Sequence, residues 1–280
     1  MVDRHEASPG IISELAASIA TIDCEVGHGK RAQIYLDKSL LDHTENVEAQ
    51  ARWLLQRYRS DLPVDLGGVL NSPEATAIDL YEKGMLTECR DKLIDVFEFQ
   101  PFSTGSLVDA TFISVALGDN NSVIDLCNDY NFAIEESPAV KNNLAVALLL
   151  NNDVEGGRKL LAELENSDYA AESKFTFLAT KGLLNYRQGN IEMGAQLYEE
   201  AREGFSKTNN IEYVALANAF QASEELRLNT GQGESRFAMA EEGSSKTRIE
   251  KEIKNFINIL RKTTQLNSVF MGVYLEFNNN

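Results

Sequence analysis

Helix-breaking turns recur along this chain at a nearly constant interval, and this interval restricts the fold more than any other feature. The turns lie at Gly84, Gly118, Asn152-Asp153 and Gly189, so that successive turns are 34, 34 and 37 residues apart. Apolar residues at helical spacing lie on both sides of each turn, which predicts two helices per interval. Because glycine and asparagine readily end a helix in the left-handed conformation, each turn predicts an antiparallel helical hairpin.

Residues 175–209 contain the clearest of these hairpins. Small residues are placed where its two helices come closest, Gly182 before the turn and Gly194 after it. Their spacing from Tyr198 and from the turn at Gly189 resembles the tetratricopeptide repeat, a helix-turn-helix unit of about 34 residues. The resemblance implies an all-α fold, an α-solenoid of stacked antiparallel hairpins in which each repeat contacts its neighbours.

The repeats are predicted to occupy the middle of the chain, with atypical helices at both ends. Residues 71–245 are assigned four clear repeats and a degenerate fifth. Residues 1–70 do not match the repeat pattern and are predicted to be capping helices, which shield the apolar face of a terminal repeat. The first of these helices carries four apolar residues on one face, namely Ile12, Leu15, Ala16 and Ile19.

Residues 246–280 are predicted to form an amphipathic helix followed by an apolar tail. The apolar residues of the helix recur at helical spacing, at Ile249, Ile253, Phe256, Ile257 and Leu260. Its other positions carry six basic residues against Glu250 and Glu252. Several roles fit this pattern: a cap on the last repeat, an arm that docks a partner or a membrane surface, an occupant of the chain's own groove, or a homodimer contact.

The charge distribution bears on the partner. The chain has a formal net charge of −17, and residues 61–140 carry −12 of it. An acidic block of this kind repels the phosphates of nucleic acid and attracts a basic partner, although it also serves simply as a solvated surface.

Cysteine usage and hydropathy predict a cytoplasmic protein. The three cysteines, Cys24, Cys89 and Cys127, form no CxxC pair, and their odd number favours free thiols in a reducing compartment. The longest unbroken apolar run, residues 144–150, is much shorter than the roughly 20 residues that a membrane span needs.

Residue types that carry catalysis are scarce. The three histidines lie outside the repeats, and Cys24 and His28, four residues apart, have no third ligand at a recognisable spacing. We therefore predict a protein that is not an enzyme and that uses no cofactor and no metal.

The first helices of successive repeats are expected to line a concave groove. Helical spacing from the turns selects the side chains of this groove wall. The predicted protein-binding residues are Glu74, Ile78, Tyr81 and Glu82, then Phe112 and Val115, then Asn142, Val146 and Leu149, and finally Leu183 and Tyr186. Val108, Ala179 and Arg187 extend the same wall.

The groove wall is apolar, with acid at one end and Arg187 as its one base. An amphipathic helix or apolar peptide with a basic end suits it better than an acidic peptide. The leading interpretation is a non-catalytic adaptor or scaffold that binds a protein in the groove. The alternative is a regulatory sensor subunit whose repeats bind a peptide or small ligand and control an associated effector.

Overall fold

The computed structural model describes residues 9–41, 43–58, 72–101, 104–165, 171–247, 250–251, 253–262 and 264. Throughout these residues the regular secondary structure is α-helical, so the fold class is all-α. The chain divides into two compact units, Met1–Gln100 and Pro101–Asn280. The predicted apolar tail, residues 265–280, lies outside the described residues.

The described residues of the N-terminal unit form five helices. They are α1 (Pro9–Glu25), α2 (Gly29–Ser39), α3 (Glu45–Tyr58), α4 (Pro73–Glu82) and α5 (Leu86–Phe99). Helix α1 packs on α2 and α3, α3 packs on α4, and α4 pairs with α5. The first predicted repeat, α4 and α5, therefore belongs to the same unit as the predicted capping helices.

The part of the C-terminal unit that the structure describes forms four helical hairpins and additional helices. Its helices are α6 (Gly105–Ala116), α7 (Asn120–Asp129), α8 (Asn131–Glu136), α9 (Pro138–Leu150), α10 (Val154–Glu165), α11 (Ala171–Arg187), α12 (Ile191–Lys207), α13 (Ile211–Arg227) and α14 (Gly233–Ser244). A last helix, α15, comprises residues 250–251, 253–262 and 264. The short α8 was not predicted, because its six residues are too few to show a helical period.

Neighbouring helices of the C-terminal unit contact one another in a regular order. Helix α6 packs on α7 and α9, α9 on α10 and α11, α11 on α12 and α13, and α13 on α14. The second helix of each of the first three hairpins also contacts the first helix of the next, as α7 contacts α9, α10 contacts α11 and α12 contacts α13. Each hairpin is thus packed against the next along the chain.

All four predicted turns adopt the left-handed backbone conformation. The φ angles are +68° at Gly84, +75° at Gly118, +68° at Asn152 and +82° at Gly189. After the first turn, the amide of Met85 donates to the carbonyl of Leu80, which closes the helix end. The turn prediction is therefore confirmed.

The buried and exposed faces of helix α1 differ from those predicted from its apolar stripe. Ala16 is buried together with Ala17 and Ala20, whereas Ile12 and Leu15 are exposed. The buried stripe consists of small residues because α1 lies close to α2 and α3, and small side chains permit that approach. The predicted single face is therefore divided between the core and the surface.

Candidate protein-interaction surfaces

The predicted groove wall of the N-terminal unit lies on α4. Ile78 and Tyr81 are half-buried. Glu74 accepts a hydrogen bond from the side-chain amide of Asn46 on α3, and Asn46 accepts one from the hydroxyl of Ser72. Glu74 therefore helps to join the starts of α3 and α4, in addition to any role at the surface.

Glu82, at the end of α4, is a half-buried carboxyl group. Burial raises its pKa to about 7, because the ionised form loses hydration. The positive charge of Arg52 opposes this rise, Asp79 adds to it, and Lys83 opposes it more weakly. Near neutral pH, Glu82 therefore changes between the charged and the neutral form.

Replacing Glu82 with glutamine is expected to raise the melting temperature at pH 8 and to change it little at pH 5. The folded-state pKa lies above that of the unfolded chain, so folding favours the protonated form and stability falls as the pH rises towards 7. Glutamine resembles the neutral form at every pH. Thermal unfolding at the two pH values checks this, with Glu88→Gln on the exposed surface of α5 as the control. Equal effects at both pH values would contradict it.

Four predicted wall residues of the C-terminal unit are core residues. Leu149 is 0% exposed, Tyr186 is 1%, Leu183 is 2% and Val115 is 6%. Leu149, Leu183 and Tyr186 share one apolar cluster with Tyr198 of α12. These side chains offer no surface to a partner in this conformation, which corrects their assignment to the groove wall. An aspartate at Leu149 would therefore report on folding instead of binding.

The other predicted wall residues of the C-terminal unit differ from one another in burial. Phe112 and Val146 are half-buried. Asn142 is 2% exposed, and its buried Oδ1 atom has no hydrogen-bond partner in the described structure. Phe112 packs against an apolar cluster that includes residues of α15, so the part of the wall on α6 is already covered.

Tyr186 is a core residue because α13 supplies polar partners for its hydroxyl, and α14 supplies an arginine that pairs with one of those partners. The hydroxyl donates to Glu225 Oε1 at 3.0 Å and accepts from Gln221 Nε2 at 3.0 Å. Arg236 donates from Nε to both Glu225 oxygens at 2.9 Å. Burial raises the pKa of Tyr186 to about 12, so it remains a neutral donor. Sequence periodicity missed this network, because its members are far apart in the chain.

Arg187 was expected to be the one base of the groove wall. Its guanidinium Nη2 instead lies 2.6 Å from Oε1 of Glu224, and only 10% of its side chain is exposed. Glu224 is 0% exposed and also pairs with Arg227, at 2.7 Å. Arg187 is therefore engaged in holding α11 to α13.

Helix α15 covers an apolar surface of the C-terminal unit. Its buried side chains, Ile253, Phe256, Ile257 and Leu260, form one cluster with small and apolar residues of α13 and with Phe237 and Ala240 of α14. Arg261 lies over the Phe237 ring, 4.7 Å from its centroid, and pairs with Glu241 at 3.1 Å. These four residues of the predicted apolar stripe are buried, and the fifth, Ile249, lies outside the described residues. The acidic partner of Arg261 belongs to α14, not to residues 61–140.

The exposure of an apolar face on α1 was not predicted. This face carries large aliphatic side chains at helical spacing. The exposed residues are Ile11, Ile12, Leu15, Ile19 and Ile22 of α1 and Val26, which directly follows the helix. Leu15 is 59% exposed and Ile22 is 57%. We call these six residues the α1 apolar face.

Cys24 lies in the last turn of α1 and packs against the core cluster of the N-terminal unit, whereas His28 lies between α1 and α2. Burial and the charges of Asp23 and Glu25 raise the pKa of the Cys24 thiol, which disfavours the reactive thiolate. The imidazole Nδ1 of His28 lies 3.7 Å from Asp23, which also accepts two bonds from Arg31. The geometry thus places the histidine with Asp23, in a turn fixed by an ion pair.

Comparison with known proteins gives no match among family models, curated proteins or solved structures. No helix in the described ranges is both long and apolar enough to cross a membrane. Within the same ranges, no group of three His, Cys, Asp or Glu side chains is arranged to hold a metal ion. The surfaces described above therefore provide the basis for a functional proposal.

Proposed function

We propose that this chain is a non-catalytic protein-interaction adaptor built on a solenoid of tetratricopeptide-like hairpins. The regular order of contacts in the C-terminal unit supports the repeat architecture, because each hairpin meets the next through both of its helices. The positive φ angles at the four evenly spaced turns support it as well.

The observation that carries the proposed function is the α1 apolar face. Exposed aliphatic residues are ordinary when they are scattered singly, but a continuous set on one helix face is typical of a surface that another protein covers. Alanines fill the opposite side of α1, so that side faces the core while the large side chains remain partly exposed. A partner that buried them would gain roughly 1.5 to 3 kcal/mol for each fully covered side chain.

Substituting both Leu15 and Ile22 with aspartate is expected to abolish partner binding while leaving the fold intact. Two buried charges without partners would lower the affinity by at least about a hundredfold, since each tenfold change corresponds to about 1.4 kcal/mol. The measurement uses the tagged full chain to recover its partner from the native cell, followed by titration of the purified partner against wild type and variant.

The matched control is Thr87→Asp, which adds a charge at an exposed polar position on α5 of the same unit. The wild type and this control should retain the partner that the Leu15→Asp/Ile22→Asp variant loses. If all three proteins bind it equally and have the same helical circular dichroism, the α1 apolar face is not the binding surface.

A further inference from the structure

Helix α15 reaches beyond the hairpin that it follows in sequence. A helix that only capped the last hairpin would contact α13 and α14. However, Phe112 and Ala116 of α6 pack against the same apolar cluster as α15. In addition, a Cβ atom added at Gly118, after α6, would lie 2.7 Å from Cγ2 of Ile259. Helix α15 therefore lies against the first and the last hairpin of the C-terminal unit.

The two faces of α15 differ as they do in a helix that binds in a groove. The inner face is almost entirely apolar, and Ile257 at its centre is 0% exposed. The outer face exposes Lys251, Lys254 and Lys262 to solvent. Affinity in such a complex comes from the apolar face, whereas the charges mainly govern the rate of association.

A few polar contacts fix the position of α15. The hydroxyl groups of Ser223 and Thr264 lie 2.9 Å apart in a buried contact. Arg261 pairs with Glu241 and lies 3.4 Å from Glu234, so α14 supplies two carboxylates at this end of the helix. The surface beneath α15 thus combines an apolar floor with an acidic end.

We propose that the surface beneath α15 is a second partner-binding surface, and that its partner is a basic amphipathic helix with the chemistry of α15. Helix α15 is then an internal competitor, which the partner helix displaces. The partner helix must carry a row of large apolar residues at helical spacing, with an arginine or lysine placed to pair with Glu234 and Glu241. This inference rests on the proposed adaptor role but concerns a surface separate from the α1 apolar face.

Native-state hydrogen exchange of the full chain provides the first test. A displaceable helix must open while the helices beneath it remain folded, so its amides exchange through a local opening. We expect amides of residues 253–260 to exchange at least about tenfold faster than those of residues 215–222 in α13. If the amides of the two segments were equally protected and exchanged only when the whole unit unfolded, α15 would be a permanent cap. That result would overturn the proposal.

A reversible lock provides the second test. Because the Ser223 and Thr264 hydroxyl oxygens are 2.9 Å apart, cysteines at both positions can tether α15. The half-buried Cys24 is replaced by serine in this variant. Cys89 and Cys127 remain, since both are buried and inaccessible, and burial raises the thiol pKa of Cys127 to about 12.

The probe is a fluorescein-labelled synthetic peptide of residues 246–264, titrated against the oxidised and the reduced forms of the locked chain. We expect the reduced form to bind at least about tenfold more tightly, since only its α15 can leave the surface. A peptide carrying aspartate at Phe256 and Ile257 should bind neither form.

Equal binding to the two forms, or equal binding of the aspartate peptide, would overturn the inference. So would a dimer of the reduced chain in size-exclusion chromatography, because that result would mean that α15 is exchanged between copies. These outcomes are independent of the Leu15→Asp/Ile22→Asp experiment, so either proposal can fail while the other stands.

Discussion

Replacing Glu224 with alanine is expected to destabilise the C-terminal unit by about 3 to 5 kcal/mol, one of the two largest effects that we predict. Glu224 is 0% exposed and lies between the guanidinium groups of Arg187, at 2.6 Å, and Arg227, at 2.7 Å. Without the carboxylate, Arg187 keeps a positive charge on a side chain that is only 10% exposed. An unpaired charge with so little access to water is strongly unfavourable.

Urea unfolding followed by far-ultraviolet circular dichroism measures this loss. Trp53, the only tryptophan, lies in the N-terminal unit, so its fluorescence follows that unit in the same experiment. The transition of the C-terminal unit should shift further than that of Trp53. Glu203→Ala is the matched control, because Glu203 pairs with Lys207 on the exposed surface of α12 and such pairs contribute about 0.5 kcal/mol or less. Similar losses in the two variants would contradict the expectation.

The hairpins were predictable because their signals are local. A residue such as Gly118 or Asn152 ends a helix through its own backbone conformation, which depends little on distant contacts. The apolar stripe of α15 was predictable for a similar reason, since its spacing alone indicates the side that is buried. In both cases the residues that produce the feature lie within a few helical turns of one another in the sequence.

The faces of α1 show where this reasoning fails. Two stripes run along this helix at helical spacing, one of alanines and one of large aliphatic residues. Hydrophobicity selects the aliphatic stripe as the core face, whereas close packing against α2 and α3 selects the alanines. Only the distance between helix axes distinguishes the two, and that distance is a tertiary property.

The groove wall illustrates a related difficulty. Spacing from a turn gives the direction of a side chain relative to its own hairpin, but its exposure depends on what the next hairpin places against it. Leu149 and Tyr186 satisfied the spacing and proved to be buried, because α11 covers one and α13 supplies partners for the other. The carboxylate of Glu225, 39 residues further along the chain than Tyr186, could not be inferred from local sequence.

Replacing Gly182 with leucine is the other substitution for which we predict a large effect. We expect it to lower the free energy of unfolding by about 1 to 3 kcal/mol, and the geometry favours the upper part of that range. A Cβ atom at Gly182 would lie 2.9 Å from Cδ2 of Tyr198 and 3.2 Å from the carbonyl oxygen of Gly194. Tyr198 is 1% exposed, and its ring packs beside that of Tyr186 with centroids 6.0 Å apart. Since neither the ring nor the backbone carbonyl has room to retreat, α11 and α12 would have to separate.

Gln196→Leu provides the control for this substitution, because it adds the same side chain at an exposed position of α12. Urea unfolding should show the loss for Gly182→Leu and almost none for Gln196→Leu. The close approach is reciprocal, since a Cβ atom at Gly194 would lie 2.6 Å from Cδ2 of Tyr186 and 3.0 Å from the carbonyl oxygen of Gly182. Gly194→Leu should therefore destabilise the unit to a similar extent. If both glycine variants unfolded at the wild-type urea concentration, α11 and α12 could not be in backbone contact at these positions.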